Sequence, residues 1–111
     1  MDAEYRGDYE DGLREGKGEI KWANGHAYIG EVHKGLRHGK GVFTSKAGLR
    51  YDGMWRISRR SGQGEQTWPN GDHYSGGWKD DHFSGEGTLF RRSGRYVGTF
   101  KDGKKHGKGR I

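Results

Sequence analysis

The chain has 111 residues, the length of one domain, with 28% apolar and 32% charged residues, 23 glycines, no cysteine and a formal charge of +6. The missing cysteines exclude a disulfide framework and any thiolate metal site, so packing alone must hold the fold. No apolar run reaches the about 18 residues of a membrane span, and the N-terminus lacks the basic and apolar regions of a signal peptide, so an intracellular soluble chain is expected.

So few apolar residues would leave an aperiodic chain disordered, but this chain is periodic. Tyr5, Tyr28, Tyr51 and Tyr74 recur every 23 residues, and Tyr96 follows 22 after Tyr74. With each Tyr as position 1, glycine recurs at positions 3, 8, 12, 14 and 21, which accounts for all but Gly77. Fixed offsets from a fixed Tyr give each glycine a positional task, which a low-complexity linker does not. The units are 5–27, 28–50, 51–73, 74–95 and a partial 96–111, forming one array over 1–111.

Each unit predicts two strands of period two, the pattern of a half-buried antiparallel strand. In the first unit, Tyr5, Gly7 and Tyr9 share a face, then Gly16, Gly18, Ile20 and Trp22. The second repeats this with Tyr28, Gly30, Val32 and then Gly39, Gly41, Phe43, Ser45; the third with Tyr51, Gly53, Trp55 and Gly62, Gly64, Gln66, Trp68. The fourth has Tyr74, Gly76, Trp78 and Gly85, Gly87, Leu89, Arg91, and the fifth Tyr96, Gly98, Phe100. Positions 12, 14, 16 and 18 are thus assigned to one face.

Asn24-Gly25 and Asn70-Gly71 read as type I′ turns between units, with Ala47-Gly48 and Ser93-Gly94 as weaker equivalents, and a wider turn such as Asp11-Gly12-Leu13-Arg14 joins the strands within a unit. The residue missing before Tyr96 must fall in the turn at Arg92–Arg95, because a loss inside a strand would flip every later side chain. No segment has helical periodicity. The fold class is all-β, an elongated single-layer twisted antiparallel sheet of tandem hairpins. Strands about 4.8 Å apart give a strip about 45 to 50 Å long.

The string Tyr-x-Gly-x-aromatic, then Gly, then His-Gly-x-Gly, resembles the membrane occupation and recognition nexus, or MORN, repeat. The closest copies are Tyr28 to Gly41, with Gly35, His38 and Gly39, and Tyr96 to Gly109, with Gly103, His106 and Gly107. Units three and four depart from it with Ser58 and Asp81 at position 8 and Ser61 and Ser84 at position 11. The resemblance implies a sheet whose aromatics line a groove, and scaffold roles in cilia, cytoskeletal assemblies and membrane contact sites. It further implies protein partners or self-association, phospholipid binding, and no catalysis within the array.

The leading expectation is a non-catalytic protein-binding scaffold, cytoplasmic, cytoskeletal or ciliary. A partner segment is expected in a groove of Tyr28, Tyr51, Tyr74, Tyr96, Trp55, Trp78, Phe100, Trp22 and Trp68, since Tyr and Trp are favoured interface anchors. Both ends of the array are open, so either the chain is a fragment of a longer array or its edge strands pair with another copy. The alternative is membrane-peripheral binding to anionic lipid through basic side chains on the other face and in the turns: Lys34, Arg37, Lys40, Arg59, Arg60, Lys101, Lys104 and Lys105.

Charge is unevenly spread. The first unit with its N-terminal residues has four basic and seven acidic groups, while units two and five each have five basic and one acidic. Nucleic acid is not an expected partner, because the aromatics follow a packing period. The Gly-x-Gly pairs fit neither a dinucleotide fingerprint nor, at residues 35–41, a phosphate loop. His26, His33, His38, His73, His82 and His106 are scattered over different positions, so they are assigned to turn hydrogen bonds, with no cofactor or metal expected.

Overall fold

A computed structural model describes residues 3–110 of the chain, with side chains through residue 106. Ten strands form one sheet: β1 (Ala3–Glu10), β2 (Leu13–Trp22), β3 (Ala27–His33), β4 (Leu36–Thr44), β5 (Arg50–Arg56), β6 (Arg59–Thr67), β7 (His73–Lys79), β8 (His82–Arg91), β9 (Gly94–Lys101) and β10 (Lys104–Arg110). Every strand pairs antiparallel with the next in sequence, and the order β1 to β10 runs straight across the sheet. The molecule measures 48 × 24 × 18 Å, and its long axis matches the strip length expected from strand spacing.

The register explains the glycines at positions 3 and 14. Gly7 pairs with Gly18, Gly18 with Gly30, Gly30 with Gly41, Gly41 with Gly53 and Gly53 with Gly64. The row continues through Gly76, Gly87 and Gly98 to Gly109, so one line of glycines crosses all ten strands. Into this trench the position-1 tyrosines lay their rings. A Cβ added at Gly41, Gly64 or Gly87 would overlap the ring of Tyr28, Tyr51 or Tyr74 respectively. The same trench admits each phenol to a carbonyl three residues on: Tyr5 donates to Asp8 at 2.8 Å, Tyr28 to Glu31 at 2.7 Å, Tyr51 to Met54 at 2.8 Å, Tyr74 to Gly77 at 2.8 Å and Tyr96 to Thr99 at 3.2 Å. A buried hydroxyl without such a partner would cost about 1 to 3 kcal/mol.

The core is this aromatic face alone, built from Ile20, Tyr28, Val32, Tyr51, Trp55, Tyr74, Trp78, Leu89, Tyr96 and Phe100, with buried Gln66. Edge-to-face contacts run along it: Tyr51 meets Trp55 at 5.0 Å and Trp78 at 5.2 Å between ring centroids. Such pairs contribute about 0.5 to 1.5 kcal/mol each beyond burial.

The turns are the reverse of the expected assignment. Within each unit the strands close on two residues, both at positive φ: Asp11-Gly12 (52° and 78°), Lys34-Gly35 (49° and 83°), Ile57-Ser58 (48° and 61°), Asp80-Asp81 (47° and 70°) and Asp102-Gly103 (51° and 81°). These are the type I′ turns, because two left-handed residues match the twist of the flanking strands. Between units the Asn-Gly segments instead belong to three-residue loops, in which Trp22 N–H bonds the His26 carbonyl at 2.9 Å and Trp68 N–H the Asp72 carbonyl at 2.9 Å. Between β8 and β9 the loop shrinks to Arg92–Ser93, closed by Arg91 opposite Gly94. There the missing residue is absorbed, and Gly87 still meets Gly98.

Position 12 also departs from expectation. The pairing shifts between Gly30 and Val32, and likewise between Gly53 and Trp55 and between Gly76 and Trp78, so each unit carries a bulge. At the bulge Gly39 has φ 85°, and a Cβ there would meet the Glu31 carboxylate at 2.6 Å, on the reverse face. Left-handed backbone turns position 12 away from the aromatic face, where simple alternation had placed it.

Candidate functional site

The aromatic face divides into a floor and a rim. Tyr28, Tyr51 and Tyr74 are 0% exposed and Tyr96, Trp55, Trp78 and Phe100 are 8% or less, so these seven expected groove residues are the floor. The indole N–H groups are also committed, Trp55 to the Gly41 carbonyl at 3.1 Å and Trp78 to the Gly64 carbonyl at 3.2 Å. Burial pushes the Tyr28 and Tyr74 phenols up to about 12, and raises Tyr51 further. Of the nine, only Trp22 and Trp68 are partly rather than fully buried, packed against the core. Trp22 lies 6.1 Å from partly buried Phe43, and Trp68 lies 6.1 Å from partly buried Phe83. The structure brings all nine residues to one face, but the tyrosines underlie the surface that a partner would touch.

Position 10, overlooked in the strand assignment, completes the rim. Arg14 stacks over Tyr5 at 5.0 Å, Arg37 over Trp55 at 4.7 Å, Arg60 over Trp78 at 4.7 Å, and Lys105 over Tyr96 at 4.9 Å. In the fourth unit Phe83 takes the place and stacks on Tyr74, ring centroids 3.8 Å apart and planes 9° apart. Arg37 lies opposite Val32 and Arg60 opposite Trp55 in the ladder, so position 10 shares the face of position 5. Counting by twos back from position 14 would have found it.

This corrects the expected basic surface. Arg37 and Arg60, partly buried, and Lys105, still exposed, lie on the aromatic face over rings, and Lys34, Lys40, Arg59, Lys101 and Lys104 are exposed. Arg59 stands 3.9 Å from Asp80, a solvated contact contributing little.

The two central arginines differ in partners. Arg60 donates Nε to Asp81 Oδ1 at 3.0 Å, Nη1 to the Gln66 carbonyl oxygen at 2.5 Å and Nη2 to the Asp81 main-chain oxygen at 3.2 Å. Its main-chain N–H adds a bond to Asp81 Oδ1 at 2.8 Å. Burial alone would raise the Asp81 carboxyl, but the Arg60 bonds and charge outweigh it and hold the group below its ordinary 3.8. Arg37 has Ser58 where Arg60 has Asp81, and Phe43 where Arg60 has Gln66. Its Nη2 donates to the Ser58 carbonyl at 3.1 Å and its main-chain N–H to Ser58 Oγ at 3.2 Å. Among the described residues, no acceptor meets its Nε or Nη1 and no carboxylate lies in salt-bridge range. Burial draws the Arg37 guanidinium below its ordinary value. A depression of about 270 Å³ lies here, lined by Arg37, Phe43, Leu49, Trp55 and Ser58 on one side and by Arg60, Gln66 and Asp81 on the other.

The reverse face carries a larger depression of about 770 Å³, lined by Gln63, Ser75, Ser84, Thr88, Val97 and Thr99 beside Gly76, Gly87 and Gly98. Among the histidines, His26 accepts from Lys46 N–H at 3.0 Å, and His33 meets Glu15 at 2.8 Å, a bond that holds the Glu15 carboxyl below its ordinary value. Among the described residues no His, Asp and Glu side chains converge as metal ligands.

A family model, the MORN repeat, matches residues 5–27, 28–50, 51–73, 74–94 and 96–111, so the chain belongs to the MORN repeat family. This is a non-catalytic repeat associated with protein or membrane binding. Comparison with the curated proteins gives no match.

Proposed function

We propose that the chain is a non-catalytic scaffold in which a segment of a partner protein lies along the aromatic face, held by Trp22, Phe43, Trp68 and Phe83 above the closed tyrosine floor. The observation that carries this reading is the division of that face. The floor satisfies its own polar groups and needs no partner, whereas the rim leaves large rings only partly buried beside an arginine with free donors. Aromatic and arginine side chains around a desolvated centre are what interface anchors are made of. A second copy of the chain is one such partner, and light scattering over a concentration series separates it from a foreign segment.

The test sets the rim against the exposed cations. Trp22→Ser with Phe43→Ser should lose partner capture from a cell lysate while keeping the β-type circular dichroism spectrum, and Lys34, Lys40, Lys101 and Lys104 all changed to Glu should retain it. The reverse result, with the Glu variant losing binding to phosphatidylserine vesicles at low salt, would replace this reading with membrane binding.

A further inference from the structure

Units two and three present the same backbone slot with different contents. In unit three the slot is filled from within: the Asp81 carboxylate sits on the Arg60 main-chain N–H at 2.8 Å and on Nε at 3.0 Å, and Gln66 takes Nη1. In unit two, Ser58 has a hydroxyl in place of a carboxylate and spends it on the Arg37 main-chain N–H, and Phe43 offers no acceptor to Nη1. Arg37 is thus a half-buried cation among Trp22, Phe43 and Trp55, with guanidinium carbon to ring centroid distances of 5.6, 5.7 and 4.7 Å. Nε and Nη1 stay open to solvent with no protein acceptor, so an incoming acceptor has only water to displace, and a charged one makes the stronger bond.

We infer that the unit-two slot binds a carboxylate side chain of the partner segment, an Asp or Glu flanked by a large apolar residue, with Arg37 as its receptor and Phe43 and Trp22 as the apolar walls. This rests on the rim being the partner site. Carboxylate is the favoured anion because in unit three one accepts from Nε of the equivalent arginine; in unit two the main-chain N–H is held by Ser58 Oγ, which leaves Nε and Nη1 as the donors on offer. The neighbourhood suits a single acidic group: Arg37 and Arg60 supply two cations against one carboxylate, Asp81, which bonds Arg60 and reaches Arg37 only through space.

The test uses a displayed library of random dodecapeptides selected on the purified chain, and rescored on variants. Binders lost on Trp22→Ser with Phe43→Ser should be enriched in Asp or Glu next to a large apolar residue. They should weaken about tenfold on Arg37→Gln, as expected for a charge-assisted bond. Changing the peptide acid to its amide should cost the same on the wild-type chain and nothing further on Arg37→Gln. Ser58→Asp, which supplies the carboxylate from within, should also weaken them while raising the melting temperature, so lost binding there does not reflect lost folding. Rim-dependent binders with no acidic enrichment, or unchanged on Arg37→Gln, overturn the inference and leave the rim site standing. Binders indifferent to Trp22 and Phe43, or none at all, overturn both. Arg37-dependent binding to phosphatidylserine vesicles without an acidic peptide preference also overturns it.

Discussion

Units two and three share a floor and differ in the slot above it. Tyr28 and Tyr51 are both fully buried, both donate to a carbonyl three residues on, and both lie over a glycine of the next strand. Above them, Arg60 is closed by Asp81 and Gln66 while Arg37 keeps Nε and Nη1 free. The repeat therefore separates two tasks. The tyrosine and the glycines beneath its ring are the same from unit to unit, and the residues that decide whether a slot is filled or open vary at positions 8 and 16.

The sharpest break strikes the shared floor. Gly41→Ala and Gly64→Ala should each destabilise the chain by about 3 kcal/mol or more, since the added methyl meets a ring that has nowhere to move. Thermal unfolding followed by circular dichroism should give similar losses for the two; a large difference would show that the floors are not equivalent.

Alkaline unfolding probes the same floor. A phenol raised in the folded state holds its proton after the unfolded phenol, at its ordinary 10.0, has lost it. Stability is thus full below pH 10 and falls as pH rises toward about 12, the folded value for Tyr28 and Tyr74. Denaturant midpoints that stay level from pH 9 to 12 would contradict the burial.

The slots separate under smaller changes. Asp81→Asn should cost about 1 kcal/mol, discounted because the Asp81 side chain is 41% exposed. The folded Asp81 carboxyl lies below its ordinary 3.8, so its contribution is present above that value and lost as pH falls through the folded one. That acid loss should shrink in Asp81→Asn, measured by denaturant unfolding across the acid range. Ser58→Ala should cost less, about 0.5 kcal/mol, because Ser58 bonds Arg37 without a charge. Ile57→Asn should stabilise by about 1 kcal/mol, since Ile57 is a β-branched residue held at φ 48° and exposed.

The period of Tyr and Gly made most of this fold legible: the hairpins, their order, the aromatic face and the turn that absorbs the missing residue. Turn types were not legible from Asn24-Gly25, because that dipeptide suits both a two-residue turn and the end of a three-residue loop, and the loop length decides. Position 12 misled because alternation cannot reveal a bulge, and the bulge turns Gly39 to the reverse face. The tyrosines look like anchors in sequence, and only the pairing of Gly30 with Gly41 reveals that their rings sink below the surface. Without position 10 the sequence pattern puts Arg37 and Arg60 on the wrong face, although their different neighbours at positions 8 and 16 stand openly in the sequence.

The difference between the two slots is most directly read from the side-chain Nε–H resonances of Arg37 and Arg60 in ¹⁵N-labelled protein, before and after adding an acidic peptide selected on the rim. The account predicts that the Arg60 proton is protected from exchange at the outset and does not shift. The Arg37 proton exchanges freely and then shifts and slows as peptide binds. Equal protection of the two protons in the free chain, or a peptide shift at Arg60 and none at Arg37, would contradict it.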